Sequence, residues 1–381
     1  MKRVLIFSTA YYPFIGGAEV AIKEITDRLT GKYEFDMITA LMDKKLTRTE
    51  KIGNITVHRI GLGQPKIDKL YLAACGHKYG LKLYQHNKYD LVWAMMASFG
   101  GFAASKFKQS ANVKYLLTLQ EGDPIDQILK KVRLVRPTFN KIFTTADGLQ
   151  SISNYLHNWG KKIGFKGQIA EVVPNGVDIG AFTKDYPQEE IQELRKSFGF
   201  PSDAVIIVTA SRLEVKNGAE HVIRALKLLP ENYCYCICGI GNLEGQLKDL
   251  TEVLALKNRV KFAGFKTHQE LPKILKASDI FIRPSITEGL GNAFLEAMAA
   301  GMPTIGTLVG GIPDFLTDNV TGLVCEPKNS ESISQTILKA SQLSQSEKHQ
   351  LHQNAMKIIN EQYNWEYIAS RMDYIFNELI K

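Results

Sequence analysis

Ile280-Phe281-Ile282-Arg283-Pro284-Ser285-Ile286-Thr287-Glu288-Gly289-Leu290-Gly291-Asn292-Ala293-Phe294-Leu295-Glu296 reads as a short β-branched strand, a polar turn, a glycine-bearing loop and the opening of a small-residue helix that runs on to Gly301. The pattern predicts a helix starting near Asn292. Gly289 and Gly291 let the backbone come close to a ligand, and a helix start offers unpaired N–H groups and a positive dipole end to an anion. Leu290, Asn292 and Ala293 complete this candidate phosphate cradle. Glu288 falls in the loop and Glu296 one turn into the helix, so two carboxylates flank the anion position without lying on it. Carboxylates accept hydrogen bonds and vicinal sugar hydroxyls donate them. A ligand with phosphate in the middle and a sugar at each end is a nucleotide sugar. The same residues also fit a plain corner before a capped helix, its glutamates solvated, and spacing alone leaves both readings open.

Outward from this segment, short β-branched runs alternate with helical stretches: Val4 to Ser8, Phe35 to Ala40, Ile55 to Ile60, Leu91 to Met95, Tyr115 to Leu119 and Leu149 to Ile152. After a break near Val177 to Pro187 the pattern restarts with Val205 to Thr209, Cys234 to Cys238, Val260 to Ala263, Ile280 to Arg283 and Thr304 to Thr307. Such alternation is that of a parallel α/β sheet, here in two doubly wound halves. A chain of 381 residues also exceeds what one core usually organises. Ligands of these sheets bind beyond the carboxyl ends of the strands, which places both Gly16-Gly17 and the Glu288 loop at the ligand end. From Ser330 onward the pattern is helical only.

The segment resembles the Glu-x7-Glu signature of glycosyltransferase family 4, retaining enzymes of the GT-B architecture. The likeness continues through Ala297-Met298-Ala299-Ala300-Gly301-Met302-Pro303 and takes in Gly16-Gly17-Ala18-Glu19, Pro174-Asn175-Gly176-Val177-Asp178, Ser211-Arg212-Leu213, Gly264-Phe265 and Gly310-Gly311-Ile312-Pro313-Asp314, in order along almost the whole chain. It implies two Rossmann-like domains facing across a cleft. Residues 1–178 would form an acceptor-binding domain and 179–364 a donor-binding one, with a last helix over 365–381 crossing back to the first. Glu288 and Glu296 become sugar and ribose ligands rather than nucleophiles. Phe265 marks the base site, where backbone groups do most of the recognition.

Arg212 and Lys216 follow a strand at its carboxyl end, where fixed cations would stabilise a diphosphate leaving group more in the transition state than in the ground state. Many relatives place the lysine directly before the glycine; here Asn217 stands there, one residue beyond Lys216. Gly16 and Gly17 open a helix containing Ala18 to Leu29 and would close over the donor phosphate or line the acceptor approach. Gln120 occupies a position where many relatives carry histidine. It can bond a hydroxyl but cannot take a proton. A dedicated base is dispensable where the departing phosphate oxygen accepts the acceptor's proton. Glu121 and Asp123 are candidate acceptor contacts, turn and capping roles being equally open.

Residues 1–175 hold 26 Lys and Arg against 14 Asp and Glu, whereas the remainder holds 21 against 25. The basic half suggests an anionic partner for that half alone: a membrane surface, an acidic acceptor or nucleic acid. Ile125, Ile128, Leu129, Val132 and Val135 recur at helical spacing among Lys130, Lys131, Arg133 and Arg136, the pattern of a helix lying on an anionic membrane surface or of a core helix with a basic outer face. Nucleic acid is a poorer partner, since it leaves the Glu288–Glu296 segment without purpose. Cys234, Cys236 and Cys238 alternate along one strand too far apart for disulfides, which reads as reduced core thiols in a cytoplasmic protein. His349 and His352 read as solvated surface. The histidines show no metal-ligand spacing, and the Met1–Ser8 run is too short for a leader, so it reads as a first buried strand. Together these readings describe a metal-independent hexosyltransferase without cofactor, using a UDP or GDP sugar and a glycan or lipid-linked acceptor in polysaccharide assembly. Rival readings are a nucleotide-sugar epimerase of similar architecture and a catalytically silent sugar-nucleotide binder.

Overall fold

The computed structural model describes residues 1–381 and divides into two units, Met1–Gly176 with Trp365–Lys381, and Val177–Asn364. The first unit runs β1 (Lys2–Phe7), α1 (Gly17–Arg28), β2 (Tyr33–Ala40), β3 (Thr49–Ile52), β4 (Ile55–Ile60), α2 (Pro65–His86), β5 (Leu91–Met95), α3 (Phe99–Ala111), β6 (Lys114–Leu119), α4 (Ile125–Lys131), α5 (Arg136–Thr144), β7 (Gly148–Ser151), α6 (Asn154–Ile163) and β8 (Ile169–Val172). The second runs α7 (Ile179–Thr183), α8 (Gln188–Ser197), β9 (Val205–Ala210), α9 (Ala219–Ala225), β10 (Tyr233–Cys238), α10 (Glu244–Val253), β11 (Val260–Gly264), α11 (Leu271–Lys276), β12 (Ile280–Ile282), α12 (Asn292–Ala299), β13 (Thr304–Gly306), β14 (Leu323–Val324), α13 (Ser330–Gln342) and α14 (Gln345–Gln362). The chain then returns to the first unit as α15 (Trp365–Ile380).

Each unit is one sheet, ordered β3-β4-β2-β1-β5-β6-β7-β8 in the first and β11-β10-β9-β12-β13-β14 in the second. All pairings are parallel except β3 with β4. Both sheets are Rossmann-like. Helices cover both faces of such a sheet, which is why Val4-Leu5-Ile6-Phe7 is a continuous apolar run and each of its residues is buried. The strand order reverses at β1/β5 in the first unit and at β9/β12 in the second. At such a switch point the loops beyond the carboxyl ends diverge and leave a crevice.

α15 belongs to the first core. Trp365, Ile368, Met372, Ile375, Phe376 and Leu379 line its buried face, with the Phe376 ring 5.3 Å from Trp93 and 5.4 Å from Tyr33.

Three strands lie outside the sequence pattern. Short β3 and β8 are exposed or half-buried edges carrying Glu50, Lys51 and Glu171, and β14 is two residues long, so none shows an apolar run. The amphipathic helix expected from Ile125 to Val135 is interrupted. It stops at Lys131, makes a 3-10 turn over Arg133–Val135, and a new helix starts at Arg136-Pro137, because proline fits a helix's first turn and not its interior.

Candidate functional site

Within the second unit the loops after β9, β12 and β13 are stitched together at the switch point. The Ile286 N–H donates to the Lys216 carbonyl at 2.7 Å, and the Thr307 hydroxyl to the Ser285 carbonyl at 2.6 Å. The Gly311 N–H donates to the Glu288 carbonyl at 3.1 Å. Gly310, at φ +58°, lies against the Glu288 backbone so closely that a Cβ would run into its carbonyl. Gly218, at φ +75°, meets the Pro284 carbonyl in the same way. The Glu288 loop is thus clamped from both sides by glycines at which any side chain would force the backbone to move.

α12 begins where the sequence predicts, at Asn292, after Gly291 in the left-handed region at φ +99°, and no side chain caps its first turn. Gly289, Leu290 and Gly291 are buried, while Asn292 and Ala293 are half-buried at the tip. Glu288 and Glu296 flank this tip. One Glu288 oxygen accepts its own chain's Gly289 N–H at 3.0 Å and the other pairs with the Arg283 guanidinium. Glu296 is buried, with His268 Nδ1 3.7 Å from one oxygen. Burial pushes the Glu296 carboxyl up, and the charges of His268 and Arg283 oppose that rise.

Arg212 is exposed, its side chain 73% accessible, whereas Lys216 retains 15%. Both face Glu214, Arg212 at 3.3 Å and Lys216 at 3.5 Å. The departure at Asn217 has a structural role: its side-chain amide donates to the Arg212 carbonyl at 2.6 Å and closes the loop that carries both cations. Phe265, 60% exposed, follows β11 in the strand next to β10.

In the first unit, Gly16 caps α1 without a side-chain bond, and a Cβ there would stand 2.9 Å from the Glu19 carboxylate. An acidic group therefore already stands near that tip. Gln120 and Asn175 exchange amide bonds at 3.1 and 3.2 Å. Glu121 is turned inward instead of toward an acceptor: it is buried, and one oxygen accepts the Ala97 N–H at 2.6 Å, tying the loops after β6 and β5. The other oxygen is buried without a partner, and burial pushes the carboxyl up to about 7. Asp123 is half-buried with Lys131 at 3.5 Å. His352, expected on the surface, is half-buried beside Gly301 because α14 packs on α12.

Three residues of the site carry no local signal: Glu214, His268 and Arg283. Arg283 reads in the sequence as the charged end of a strand. A basic residue before Pro284 and five positions ahead of Glu288 is the one hint that its side chain folds back.

A family model described as Glycosyltransferase Family 4 matches residues 15–180, and one described as Glycosyl transferases group 1 matches residues 190–358. An uncharacterized glycosyltransferase of Methanocaldococcus jannaschii, MJ1607, is 33% identical over 202 residues, 52% of this chain and 51% of its own. A GDP-mannose-dependent monoacylated alpha-(1-6)-phosphatidylinositol monomannoside mannosyltransferase of Corynebacterium glutamicum is 32% identical over 215 residues, 54% of this chain and 55% of its own. The chain thus spans about half the length of these two curated relatives. Among solved structures, a sucrose-phosphate synthase from Thermosynechococcus elongatus superposes with a TM-score of 0.86 at 19% identity, over 100% of this chain and 99% of its own, a likeness of fold.

Proposed function

Because the chain belongs to glycosyltransferase family 4, with GT-B units, we propose that it transfers a hexosyl group, with retention, from a nucleoside diphosphate sugar to a glycan, lipid-linked or other cell-surface polysaccharide acceptor. The observation that carries this reading is the uncapped tip of α12 set between two carboxylates and beside the Arg283 guanidinium, on which the charge of Arg212 also acts. The diphosphate sits on the tip, its charge met by backbone N–H groups and the helix dipole. Glu288 accepts hydroxyls of the transferred sugar, and Glu296 those of the ribose. Phe265 stands at the base. Arg212 and Lys216 are held on Glu214 until the diphosphate arrives, and then stabilise the charge that grows on it as the glycosidic bond breaks.

The acceptor's oxygen attacks the anomeric carbon on the face the diphosphate leaves. The bond electrons depart with the diphosphate, whose oxygen takes the acceptor's proton, so Gln120 need not be a base. Fixed cations supply the charge neutralisation, and neither metal nor resident cofactor takes part. The acceptor is held by the first unit, with Gly16, Gly17, Gln120 and Asp123 on its loops. Glu121 acts there by fixing a loop. The name of the Corynebacterium relative supports a nucleoside diphosphate hexose as donor and a lipid-borne acceptor.

A thermal-shift panel of UDP, GDP and ADP sugars, followed by product analysis, tests this. One donor class should stabilise the protein, and Glu288→Ala should abolish transfer. A panel without a shift, a product of inverted configuration, or full activity in Glu288→Ala would refute it. Binding without transfer would indicate a silent binder, and product without acceptor an epimerase.

No helix is long and apolar enough to cross a membrane. A peripheral contact on the cytoplasmic side belongs to the same proposal. It is supported by exposed Leu62, Ile67, Leu70 and Tyr71 beside Lys66 and Lys69, and by Leu134, 91% exposed beside Arg133. Apolar insertion together with roughly 1 kcal/mol per basic residue suits an anionic leaflet. Flotation with anionic vesicles and none with neutral ones is the expected result; equal behaviour with both ends the idea.

A further inference from the structure

Arg283 emerges from the carboxyl end of β12 and ends with its side chain 8% exposed. Burying a cation is costly unless partners surround it, and burial pushes this guanidinium down to about 10, leaving it charged at neutral pH. Its partners come from one short stretch of chain. Nε donates to the Ser285 hydroxyl at 3.2 Å, Nη2 pairs with the Glu288 carboxylate, and the guanidinium lies 4.8 Å from the Phe294 ring centroid. The Glu296 charge lies near it as well. Nη2 would stand 3.2 Å from a Cβ at Gly291, which places the guanidinium directly beneath the start of α12. One side chain therefore joins the loop, the helix tip and both carboxylates.

We propose that Arg283 is a positioning residue for the transfer step: it fixes the Glu288 carboxylate in one orientation against the α12 tip, so that its remaining lone pairs face the hydroxyls of the donor sugar. This rests on the sugar-binding role of Glu288. A carboxylate offers about four lone-pair directions. Arg283 and the Gly289 N–H take one on each oxygen, and two remain for vicinal hydroxyls. The planar fork of arginine is suited to this, because one nitrogen engages Ser285 while another engages Glu288 and the face stacks on Phe294. Lysine would return the charge without the alignment.

Glu288 pairs with Arg283 from the end of β12, and Arg283 in turn feels the charges of Arg212 from the loop after β9 and of Glu296 on α12, itself faced by His268. Without Arg283, Glu288 would be a largely buried carboxyl with its strongest cation gone, so it would protonate at higher pH. Glu296 would lose the same cation.

The experiment compares wild type, Arg283→Gln and Arg283→Lys, with melting curves to establish folding. It uses the donor sugar chosen by the thermal-shift panel and a 13C titration of the Glu288 carboxyl, assigned by its disappearance in Glu288→Gln. In Arg283→Gln, kcat should fall about 100-fold, the scale of an ångström's misplacement, with KM changed far less. The Glu288 titration and the acidic limb of the kcat profile should move up together by about one pH unit or more. Arg283→Lys should restore the titration and the acidic limb but only part of kcat. An unmoved Glu288 titration in a folded Arg283→Gln overturns the proposal, as does a kcat loss with an unchanged pH profile. If Arg283→Gln does not fold, Arg283→Lys decides: kcat and pH profile both equal to wild type overturn it. The carboxyl titration needs no turnover, so a wild type without transferase activity would refute the functional reading while the Arg283–Glu288 coupling is still measured.

Discussion

Replacing Gly310 by alanine adds one methyl group on the side of the molecule that carries Glu288. Gly310 sits at φ +58°, where an L-residue costs roughly 1–2 kcal/mol. The larger effect is steric: the new Cβ would overlap the Glu288 carbonyl, and that carbonyl is already held by the Gly311 N–H at 3.1 Å. Relief requires the Glu288 backbone to move by an ångström or so against the Arg283 ion pair, with strain of about 1–3 kcal/mol. Together these give a loss of about 2–5 kcal/mol, or roughly 4–20 °C in melting temperature for a unit of this size. Activity should fall further than stability, because the displaced residue is the one proposed to hold the sugar; about 100-fold in kcat is the scale. Gly245→Ala is the control. It lies in α10 with open space around its position, so it should stabilise by about 0.5–1 kcal/mol and leave kcat alone. Donor turnover by both variants at a temperature well below either melt is the assay. A fully active Gly310→Ala would show that the tight clamp on Glu288 is irrelevant to catalysis.

Other consequences follow from single side chains. Arg212→Ala should lower kcat about 100-fold or more while moving the melting temperature little, since the residue is exposed; steady-state kinetics and a melt check both. Glu121 is raised to about 7 by burial, so the folded protein holds its proton where the unfolded chain has lost it. Stability is then full below the unfolded value near 4.5, declines by about 3 kcal/mol as pH rises toward 7, and is level above. Glu121→Gln should flatten that decline in urea titrations run at several pH values. Asp68 is the opposite case. Burial acts to raise it, but the N–H groups of Leu62, Met42, Gln64 and Gly63 outweigh that and hold it below the ordinary range. Its stabilisation is present above the unfolded value and lost as pH falls through the folded one. Asp68→Asn should destabilise the first unit by about 2–4 kcal/mol in denaturant titrations, because one amide oxygen cannot accept what two carboxylate oxygens do.

The fold was legible because a parallel sheet covered on both faces leaves a continuous apolar run for each interior strand. Val4 to Phe7 and Tyr233 to Cys238 are buried at every position, so burial and sequence pattern coincide. At the sheet edges they part. β3, Thr49–Ile52, is half charged and pairs antiparallel through the Gly53-Asn54 turn, and no apolar run announces it. The interrupted helix after Ile125 shows a further limit. Apolar residues at helical spacing were present, but Pro137 requires a fresh start, and Leu134 was left facing solvent rather than a core.

The site divides along the same line. Glu288, the glycines and Glu296 lie on one segment, where spacing along the chain is also spacing in space, and α12 begins where that spacing places it. The partners that set the chemistry come from folding back or from other loops. Glu214 meets both Arg212 and Lys216, and His268 reaches Glu296 from beyond β11. Asn217, a departure that puts the neighbouring lysine in question when only the sequence is known, proves to close the loop carrying both cations. Each of these residues is polar and outside any repeating pattern; Glu214, Asn217 and Arg283 meet partners two to five residues away by a fold-back of the loop, and His268 meets Glu296 from a different loop. A buried charge survives only where a counter-charge has been brought to it, so the identity of the counter-charge is information that the tertiary structure holds and the local pattern does not. Arg283 is the clearest instance: as the last residue after Ile282 it looks like a solvent-facing strand end, yet it is among the most buried charges of the chain and the one on which Glu288 rests.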